Sequence, residues 1–248
     1  MRKLFCRAAA AGKEPGMKIS TVLWDVDGTL LDFKAAESAA VKTLFREFDL
    51  GECTDGMVQR YSRINEGFWQ RLERNEITKP QVLVGRFRQF FRETGVPVEL
   101  AEEFNRRYQV RLGDTIVFRD DSLSIVKALR GRVRQYAVSN GTVVAQTKKL
   151  RLSGLGDLMD GIFLSEAIGA EKPNKAFFDA VFEKIGPCSL SETVIVGDSL
   201  TSDIRGGNNA GIRTCWYNPE GLEAPGEYRI DRVIRDLHEV PDLIEDRE

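Results

Sequence analysis

A short apolar run that ends in two closely spaced aspartates constrains this chain more than any other stretch. Residues 22–24 predict a buried strand of a parallel sheet, because a short apolar run bounded by a turn signal is typical of such a core. Asp25 and Asp27 follow at the carboxyl end of this strand, which is where open α/β sheets bind ligands. Their carboxylates would point to the same side and repel each other unless a cation or a shared proton relieves the charge. A solvated turn is an equally acceptable interpretation of this motif alone, since Asp and Gly are common turn formers.

Length and charge limit the classes of protein to which the chain can belong. Its 248 residues suit one large domain or one domain with an insert. The hydrophobic content of 42% and the charged content of 30% are ordinary for a globular protein. The net charge of −2 gives no indication of a nucleic acid polymer or a membrane surface as partner. No apolar run approaches the roughly 20 residues that span a bilayer.

Cysteine and histidine usage excludes several kinds of catalytic and metal site. Cys6, Cys53, Cys188 and Cys215 are far apart and form no C-x-x-C pair, so neither a zinc knuckle nor a disulfide framework is indicated. Thiols of this kind are typical of a reducing compartment, which favours a cytoplasmic location. The single histidine, His238, excludes a three-histidine zinc site and would leave a Ser-His-Asp triad dependent on a residue near the carboxyl terminus. We therefore expect carboxylates to carry the chemistry.

The first sixteen residues differ in composition from the rest of the chain. They contain Arg2, Lys3 and Arg7, followed by an alanine cluster. Their apolar stretch is shorter than the roughly 7–15 residues of a signal-peptide core. We predict a disordered extension over residues 1–16, with a weak targeting peptide as the alternative and Met17 as a plausible true start.

Residues 34–118 and residues 119–248 differ in their hydrophobic periodicity. The first stretch has apolar residues at intervals of three or four and no convincing strand, which predicts a block of helices. The second alternates short apolar strands with amphipathic helices, which predicts a doubly wound parallel sheet with right-handed crossovers. We therefore expect an α/β catalytic core made of residues 17–33 and 119–248, with the helical block inserted directly after the first strand. The later strands are expected at residues 134–138, 161–164, 193–196 and 214–217, and the pattern is compatible with an additional edge strand at 233–234.

Polar groups stand at the carboxyl ends of the other strands, which would bring them to the same edge of the sheet as the two aspartates. Ser139 and Asn140 follow the second strand, and Asp198 follows the fourth. Helix capping by the first pair and a strand-to-helix turn at Asp198 are the ordinary alternatives. Lys172 precedes Pro173 and the start of a helix, where a lysine lies at the unfavourable end of the helix dipole. A bound anion would reverse that effect, although a solvated surface lysine is also compatible with the sequence.

Taken together, the order and spacing of these segments resemble the haloacid dehalogenase (HAD) superfamily of phosphohydrolases. The shared pattern is D-x-D-G-T at 25–29, a serine at the end of the second strand, Lys-Pro at 172–173 and G-D-x-x-x-x-D at 197–203. The resemblance covers roughly residues 17–220. It implies a Rossmann-like core with a five-stranded parallel sheet and a mobile cap, and an insert directly after the first motif is similar to the helical type of cap. Dehalogenase members lack an acid at the position of Asp27, so the resemblance implies a phosphatase.

The resemblance also implies a role for each carboxylate of the core. Asp25 would attack phosphorus and become an aspartyl phosphate, and Asp27 would protonate the leaving group and then activate the hydrolytic water. Asp25, the backbone carbonyl of Asp27 and Asp198 would hold Mg²⁺, an ion that prefers oxygen ligands. Asp203 would lie behind them and fix a metal-bound water or Lys172.

Three residues would bind the phosphate group according to the same resemblance. Ser139 and the backbone amide of Asn140 would bind phosphate oxygens, and Lys172 would pair with both the phosphate and Asp25. Without the metal and the lysine a carboxylate could hardly approach a phosphate, because each like-charge contact at ~4 Å costs about 4 kcal/mol at an effective dielectric of 20.

Several further stretches resemble the pyrimidine 5′-nucleotidase branch of the superfamily, which acts on noncanonical nucleotides. Members of that branch remove phosphate from nucleoside monophosphates such as UMP, dUMP and dTMP. The resemblance implies a nucleotide as substrate, and it rests on residues 138–141, 165–175, 210–218, 65–69 and 85–87, together with Thr78.

Near and within the helical block, Phe33, Asn65, Trp69 and Arg86 are candidate contacts to the base or the ribose. An aromatic ring with a few placed polar groups is typical of such a pocket. Phe33 and Trp69 could equally line the seam between cap and core. A phosphoglycolate or sugar-phosphate phosphatase and a non-catalytic phosphate-binding module are the alternatives, and we expect a monomer or a homodimer.

Overall fold

A parallel sheet forms the centre of the computed structural model, which describes residues 18–245. Its strands are β1 (Thr21–Trp24), β2 (Arg134–Ser139), β3 (Gly161–Leu164), β4 (Thr193–Gly197), β5 (Arg213–Tyr217) and β6 (Arg232–Ile234). They lie in the order β3-β2-β1-β4-β5-β6, and each neighbouring pair is parallel. The predicted extension at residues 1–16, which includes Cys6, lies outside the described residues.

The prediction of a doubly wound α/β sheet is confirmed, although the described part of the chain has six strands rather than five. The sixth strand, β6, is the one whose pattern was only compatible with an edge strand. It pairs with β5 through three residues, of which Ile234 alone is buried. A single buried side chain gives too short an alternation to distinguish an edge strand from irregular chain.

Helices fill the connections between the strands. Five of them lie between β1 and β2, of which the first four are α1 (Phe33–Glu47), α2 (Asp55–Glu73), α3 (Lys79–Thr94) and α4 (Ala101–Leu112). We refer to residues 33–112 as the helical insert. The later helices are α5 (Ser122–Leu129), α6 (Val143–Ser153), α7 (Ser165–Ile168), α8 (Lys175–Ile185), α9 (Arg205–Ala210) and α10 (Val240–Glu245). A π-helical turn, Leu200–Ile204, leads into α9, and 3₁₀ turns occur at Val98–Leu100, Gly156–Leu158, Leu190–Glu192 and Leu237–Glu239.

Over residues 18–245, we find no helix with the length and apolar character needed to cross a membrane.

The helical insert has a hydrophobic core of its own, rich in aromatic side chains. Phe87 is fully buried and stacks on Tyr61 with ring centroids 4.9 Å apart. Phe104 packs edge-on against Phe45 and Phe91, with centroids 6.0 and 5.1 Å away. Aromatic pairs of this kind contribute about 0.5–1.5 kcal/mol beyond the burial of their area. The four helices are therefore fixed to one another by contacts that do not involve the sheet.

Strand β1 is buried on both faces, which explains its unbroken apolar sequence. Trp24 packs on one face of the sheet with Val196, and Leu23 packs on the other face with Ile195 and Phe178. Strands β2 and β4 flank β1 on either side. Because the three strands are parallel, the loops that follow them reach the same edge at the middle of the sheet.

Candidate active site

The turn after β1 brings Asp25 to the edge of the sheet. The backbone N–H of Asp25 donates to the carbonyl of Val196 at 2.9 Å, so this residue continues the pairing of β1 with β4. Gly28 has a φ of 101°, which side-chain-bearing residues rarely adopt, and a Cβ here would lie 2.5 Å from Oδ2 of Asp198. The glycine therefore allows the turn after β1 and the carboxylate after β4 to approach each other.

Lys172 is the buried cation of the site. Its ammonium donates to Oδ1 of Asp25 at 2.8 Å, to Oδ1 of Asp203 at 2.7 Å and to the carbonyl of Val138 at 2.9 Å. Burial alone would lower the pKa of Lys172, but the charges of Asp203 and Asp25 outweigh it and raise the pKa above its usual value. The side chain is 1% exposed, so the alternative of a solvated surface lysine is wrong.

Three aspartates converge beside this lysine. A carboxylate oxygen of each of Asp25, Asp198 and Asp203 lies within 4.8 Å of the others. Burial raises the pKa of Asp25 well above its ordinary value, which Lys172 opposes and the other two carboxylates reinforce. The pKa of Asp198 rises to about 7. The surrounding protein removes water from this carboxylate, although it still opens to the cleft, and the negative charge of the nearby Asp203 adds to the rise. The cluster therefore carries more negative charge than one lysine neutralises.

The donor set of this cluster fits a magnesium ion, since it consists of carboxylate oxygens with excess negative charge. Both oxygens of Asp203 are already engaged, one by Lys172 and the other by the backbone N–H of Ser199 at 3.1 Å. The hydroxyl of Thr29 lies 3.1 Å from Oδ2 of Asp25 and 3.2 Å from Oδ1 of Asp198. The carboxylates of Asp25 and Asp198 are therefore the ones best placed to contact an ion, with Asp203 behind them.

The loop that follows β2 is tied to the segment that bears Lys172. The hydroxyl of the buried Ser139 accepts from the backbone N–H of Gly141 at 3.0 Å. The side-chain amide of Asn140 donates to the carbonyl of Lys172, and its oxygen accepts from the N–H of Lys172, both at 2.8 Å. The N-cap of α6 is Thr142, so the alternative in which Ser139 or Asn140 caps that helix is wrong.

Asp27 is held by helix α6. Its Oδ2 accepts from Nε2 of Gln146 and its Oδ1 accepts from Nζ of Lys149, each at 2.5 Å. The Lys149 ammonium also lies 5.2 Å from the centre of the Phe33 ring. The sequence analysis missed both α6 residues, because polar side chains at helical spacing are typical of a solvated face. The available signal was their spacing of three residues on the helix that directly follows the Ser-Asn-Gly motif.

A cleft between the edge of the sheet and the helical insert brings the predicted site residues together. Phe33, Trp69, Arg86 and Gln109 line it from the insert. All seven predicted residues of the core also line it, namely Asp25, Asp27, Ser139, Asn140, Lys172, Asp198 and Asp203.

Asn65 is the one predicted contact that is not among the residues lining this cleft. It is buried behind the wall, where its Oδ1 accepts from Arg86 at 2.7 Å and its Nδ2 donates to Glu37 at 2.8 Å. Arg86 is 2% exposed and its guanidinium lies 5.0 Å from the centre of the Tyr108 ring. Asn65 therefore orients the arginine and does not face a ligand itself.

A chain of hydrogen bonds continues from Arg86 to the core. Asn105 Oδ1 accepts from Arg86 at 3.3 Å and from Nε2 of Gln109 at 2.9 Å. Oε1 of Gln109 in turn accepts from the hydroxyl of Thr142 at 2.8 Å. Because Thr142 caps α6, the helical insert is joined directly to the helix that holds Asp27.

The chain is similar to known proteins over most of its length. HAD-hydrolase YfnB of Bacillus subtilis is 39% identical over 222 residues, which are 89% of this chain and 93% of YfnB. Pyrimidine 5′-nucleotidase PynA of Streptococcus pneumoniae is 35% identical over 82% of this chain and 85% of its own. Pyrimidine 5′-nucleotidase YjjG of Escherichia coli is 30% identical over 92% of this chain and 99% of its own.

The similarity extends to three dimensions. A crystal structure of YfnB bound to magnesium matches with a TM-score of 0.85 at 35% identity, covering 92% of this chain and 99% of that one. Residues 19–211 match the family model of haloacid dehalogenase-like hydrolases, which confirms the predicted resemblance. The chain therefore belongs to the haloacid dehalogenase-like hydrolase family.

Proposed function

We propose that this protein is a Mg²⁺-dependent phosphomonoester hydrolase that acts on nucleoside 5′-monophosphates, preferably those of pyrimidines. The observation that carries the proposal is the meeting of Asp25, Lys172 and Ser139 with further aspartates in one cleft. A non-catalytic phosphate-binding module would have no need of three clustered carboxylates, which repel a phosphate. The full set of acids therefore favours an enzyme.

In the proposed reaction, Asp25 is the nucleophile. One of its carboxylate oxygens attacks phosphorus, an aspartyl phosphate forms, and the bond from phosphorus to the ester oxygen breaks. Asp27 gives its proton to the departing oxygen. In the second half, water attacks phosphorus and loses a proton to Asp27. The bond from phosphorus to the Asp25 oxygen breaks, which releases inorganic phosphate and restores the carboxylate of Asp25. Asp27 thus acts first as an acid and then as a base, and it ends in its starting form.

Ser139, the backbone N–H of Asn140 and Lys172 would hold the phosphate oxygens. Lys172 lies 2.8 Å from the nucleophilic carboxylate of Asp25, so it can offset the repulsion between that group and a phosphate dianion. Such repulsion amounts to about 4 kcal/mol per charge pair at ~4 Å and an effective dielectric of 20. The lysine is therefore essential to bringing the two anions together.

The metal would be held by the carboxylates of Asp25 and Asp198 and by the backbone carbonyl of Asp27. When bound, Mg²⁺ supplies positive charge that stabilises the transferring phosphoryl group. Asp203 would fix the position of Lys172 from behind, as its two engaged oxygens favour.

The residues of the helical insert favour a nucleotide as the leaving part of the substrate. Phe33 and Trp69 offer aromatic rings to the cleft, and Arg86 offers a cation beside them. PynA and YjjG, to which the chain is similar over most of its length, are pyrimidine 5′-nucleotidases. Asn65 would contribute by orienting Arg86. Part of the Phe33 ring is occupied by the Lys149 ammonium, so only the remainder is open to a base.

We also propose that residues 34–118 act as a cap over a core of residues 17–33 and 119–248. Polar contacts join the insert to the core, which is typical of units that move relative to each other. These contacts are Thr142–Gln109 at 2.8 Å, Thr201–Glu73 at 2.5 Å and Lys79–Ser165 at 2.7 Å. We further propose that the enzyme is cytoplasmic and that it is a monomer or a homodimer.

A panel of phosphomonoesters in the presence of Mg²⁺ tests the proposal. UMP, dUMP and dTMP should have a kcat/KM at least about tenfold above that of purine nucleotides, sugar phosphates and phosphoglycolate, as expected of a pocket that selects its substrate. Asp25→Asn is the control, and it should be inactive on every substrate. A preference for phosphoglycolate or a sugar phosphate would contradict the nucleotide assignment, and inertness toward p-nitrophenyl phosphate would contradict phosphatase activity.

A further inference from the structure

Helix α6 bears two polar side chains that have no part in binding the phosphate or the metal in the proposed reaction. We infer that Lys149 and Gln146 are positioning residues, which hold the carboxyl group of Asp27 in place to protonate the leaving oxygen. This role rests on the proposed function, because it concerns the acid of that reaction.

The side chains of Gln146 and Lys149 donate hydrogen bonds to different oxygens of the Asp27 carboxyl group. Gln146 donates to Oδ2 of Asp27 and Lys149 donates to Oδ1, both at 2.5 Å. They are three residues apart on α6 and therefore lie on the same face of that helix. With a donor on each oxygen, rotation of the carboxyl group about its Cβ–Cγ bond would break both hydrogen bonds. A single donor would leave that rotation much freer.

The burial of Lys149 sets it apart from its neighbour on the same helix. The side chain of Lys149 is 1% exposed, whereas that of Lys148 is 26% exposed and pairs with Asp114. A buried ammonium is costly unless it is paired and hydrogen-bonded. Asp27 supplies that partner, and the face of the Phe33 ring lies 5.2 Å away on another side. Lys149 is therefore a buried partner of Asp27 and is not a lysine of the helix surface.

Gln146 is fully buried and only half of its amide is used. Its Oε1 has no hydrogen-bond partner, whereas its Nε2 contacts Asp27. A Cβ at Gly141 would lie 2.3 Å from that Nε2, so the glycine leaves room for the amide between the loop that follows β2 and Asp27. An orphaned buried oxygen costs about 1–3 kcal/mol. The amide can use it by turning over when Asp27 carries its proton, before the first step and after the second, because a protonated carboxyl group donates a hydrogen bond.

Correct placement of Asp27 matters most when the leaving oxygen needs a proton. The 5′ oxygen of a nucleoside is a strongly basic alkoxide unless it is protonated, whereas p-nitrophenolate is stable as an anion. A change in kcat/KM reports a change in transition-state stabilisation relative to the free enzyme and substrate. In this reaction it covers only the steps up to and including departure of the leaving group. Hydrolysis of the aspartyl phosphate is common to both substrates and can limit kcat alone. Misplacement of Asp27 should therefore separate the two substrates in kcat/KM.

The variants Lys149→Met and Gln146→Met test this role, with UMP and p-nitrophenyl phosphate as substrates. We expect kcat/KM for UMP to fall about 10–100-fold, which is part of the 10²–10⁴-fold that a general acid contributes. For p-nitrophenyl phosphate it should stay within about threefold, because that leaving group needs little help from an acid. Asp27→Asn should give the same pattern more strongly.

Lys148→Met is the matched control, and it should leave both substrates unaffected. The inhibition constant of inorganic phosphate should be unchanged in all three methionine variants. Equal losses of kcat/KM on the two substrates, or weaker inhibition by phosphate, would overturn the positioning role, as would unchanged kinetics. If Lys149→Met does not fold, as judged by its melting curve, Gln146→Met decides the question. A wild-type protein that hydrolyses neither substrate would instead overturn the proposed function.

Discussion

The ammonium of Lys172 lies 2.8 Å from Asp25 and 2.7 Å from Asp203, and all three side chains are almost fully buried. Each of these charges would be costly to bury alone. Removing one partner from a buried ion pair lowers the free energy of unfolding more than replacing the whole pair by apolar residues does. Substitutions of Lys172 and of Asp25 should therefore have different effects on stability, although both should stop the proposed reaction.

The substitution Asp25→Asn should abolish turnover and leave the fold intact. An amide cannot form the acyl phosphate, but it keeps the shape of the carboxylate and can still accept from Lys172. Because burial raises the pKa of Asp25, replacing the ion by a neutral group should leave the free energy of unfolding unchanged or raise it by about 1 kcal/mol. Urea denaturation and a phosphate-release assay measure the two effects, and turnover near the wild-type rate would remove Asp25 from the nucleophile role.

The substitution Lys172→Met should lower the free energy of unfolding by about 3–5 kcal/mol, because it leaves Asp25 and Asp203 buried without their cation. Urea denaturation at pH 7 is the measurement. Lys175→Met is the matched control, since Lys175 is 62% exposed in its pair with Asp179 and should change stability by less than about 1 kcal/mol. Similar losses in the two variants would contradict the structural role of the buried lysine.

At the scale of elements, the sheet explains why the core of the site could be predicted from sequence. Asp25 and Asp198 each follow a strand directly and Ser139 is the last residue of one, and parallel strands bring their carboxyl ends to one edge whatever the rest of the fold does. Asn65 shows where this reasoning ends. It was predicted as a contact from the resemblance, which could not decide whether a side chain within the helical block meets a ligand or another side chain.

Other elements eluded the sequence analysis for local reasons. Helix α5 was not predicted, and α9 is preceded by the π-helical turn Leu200–Ile204. A π turn departs from the 3.6-residue period, so it disturbs the spacing by which a helix start is identified. Gln146 and Lys149 were missed because their partner, Asp27, is more than a hundred residues away in the chain.

The contact of α2 with the π-helical turn should make stability depend on pH. Burial raises the pKa of Glu73 to about 7, the hydrogen bond from Thr201 opposes this, and Asp203 adds to it. Its ordinary value is 4.5, so between these values the folded protein binds a proton that the unfolded chain has released. The contribution of Glu73 to the free energy of unfolding must therefore fall as pH rises through this window.

The substitution Glu73→Gln should remove that fall. We expect the variant to be more stable than wild type at pH 8 by about 1–2 kcal/mol, after allowing for partial screening by solvent, and to differ little at pH 4.5. Urea denaturation across this range is the measurement, with Glu66→Gln on the exposed face of α2 as the control. An unchanged pH slope in Glu73→Gln would contradict the assignment.

At the scale of the whole molecule, ion binding should be coupled to stability, because the aspartate cluster has more negative charge than Lys172 neutralises. Mg²⁺ at about 100 times its dissociation constant should raise the free energy of unfolding by about 2.7 kcal/mol. Thermal melts with MgCl₂, against NaCl of equal ionic strength, measure the shift, and Asp198→Asn should lose most of it. Excess EDTA should stop turnover and MgCl₂ should restore it. Unchanged rates in EDTA would remove the metal from the reaction.

The hydrogen bonds that run from Glu37 through Arg86 and Gln109 end at Thr142, the N-cap of the helix that holds Asp27. A movement of the insert against the core would therefore reach Asp27, the proposed general acid, through this chain of hydrogen bonds. A nucleotide that contacts both the insert and the core would then influence the placement of Asp27. Recognition of the nucleoside and cleavage of its bond to phosphate would then be coupled. An alkyl phosphate without a nucleoside would be hydrolysed slowly, however well its phosphate group fits the core.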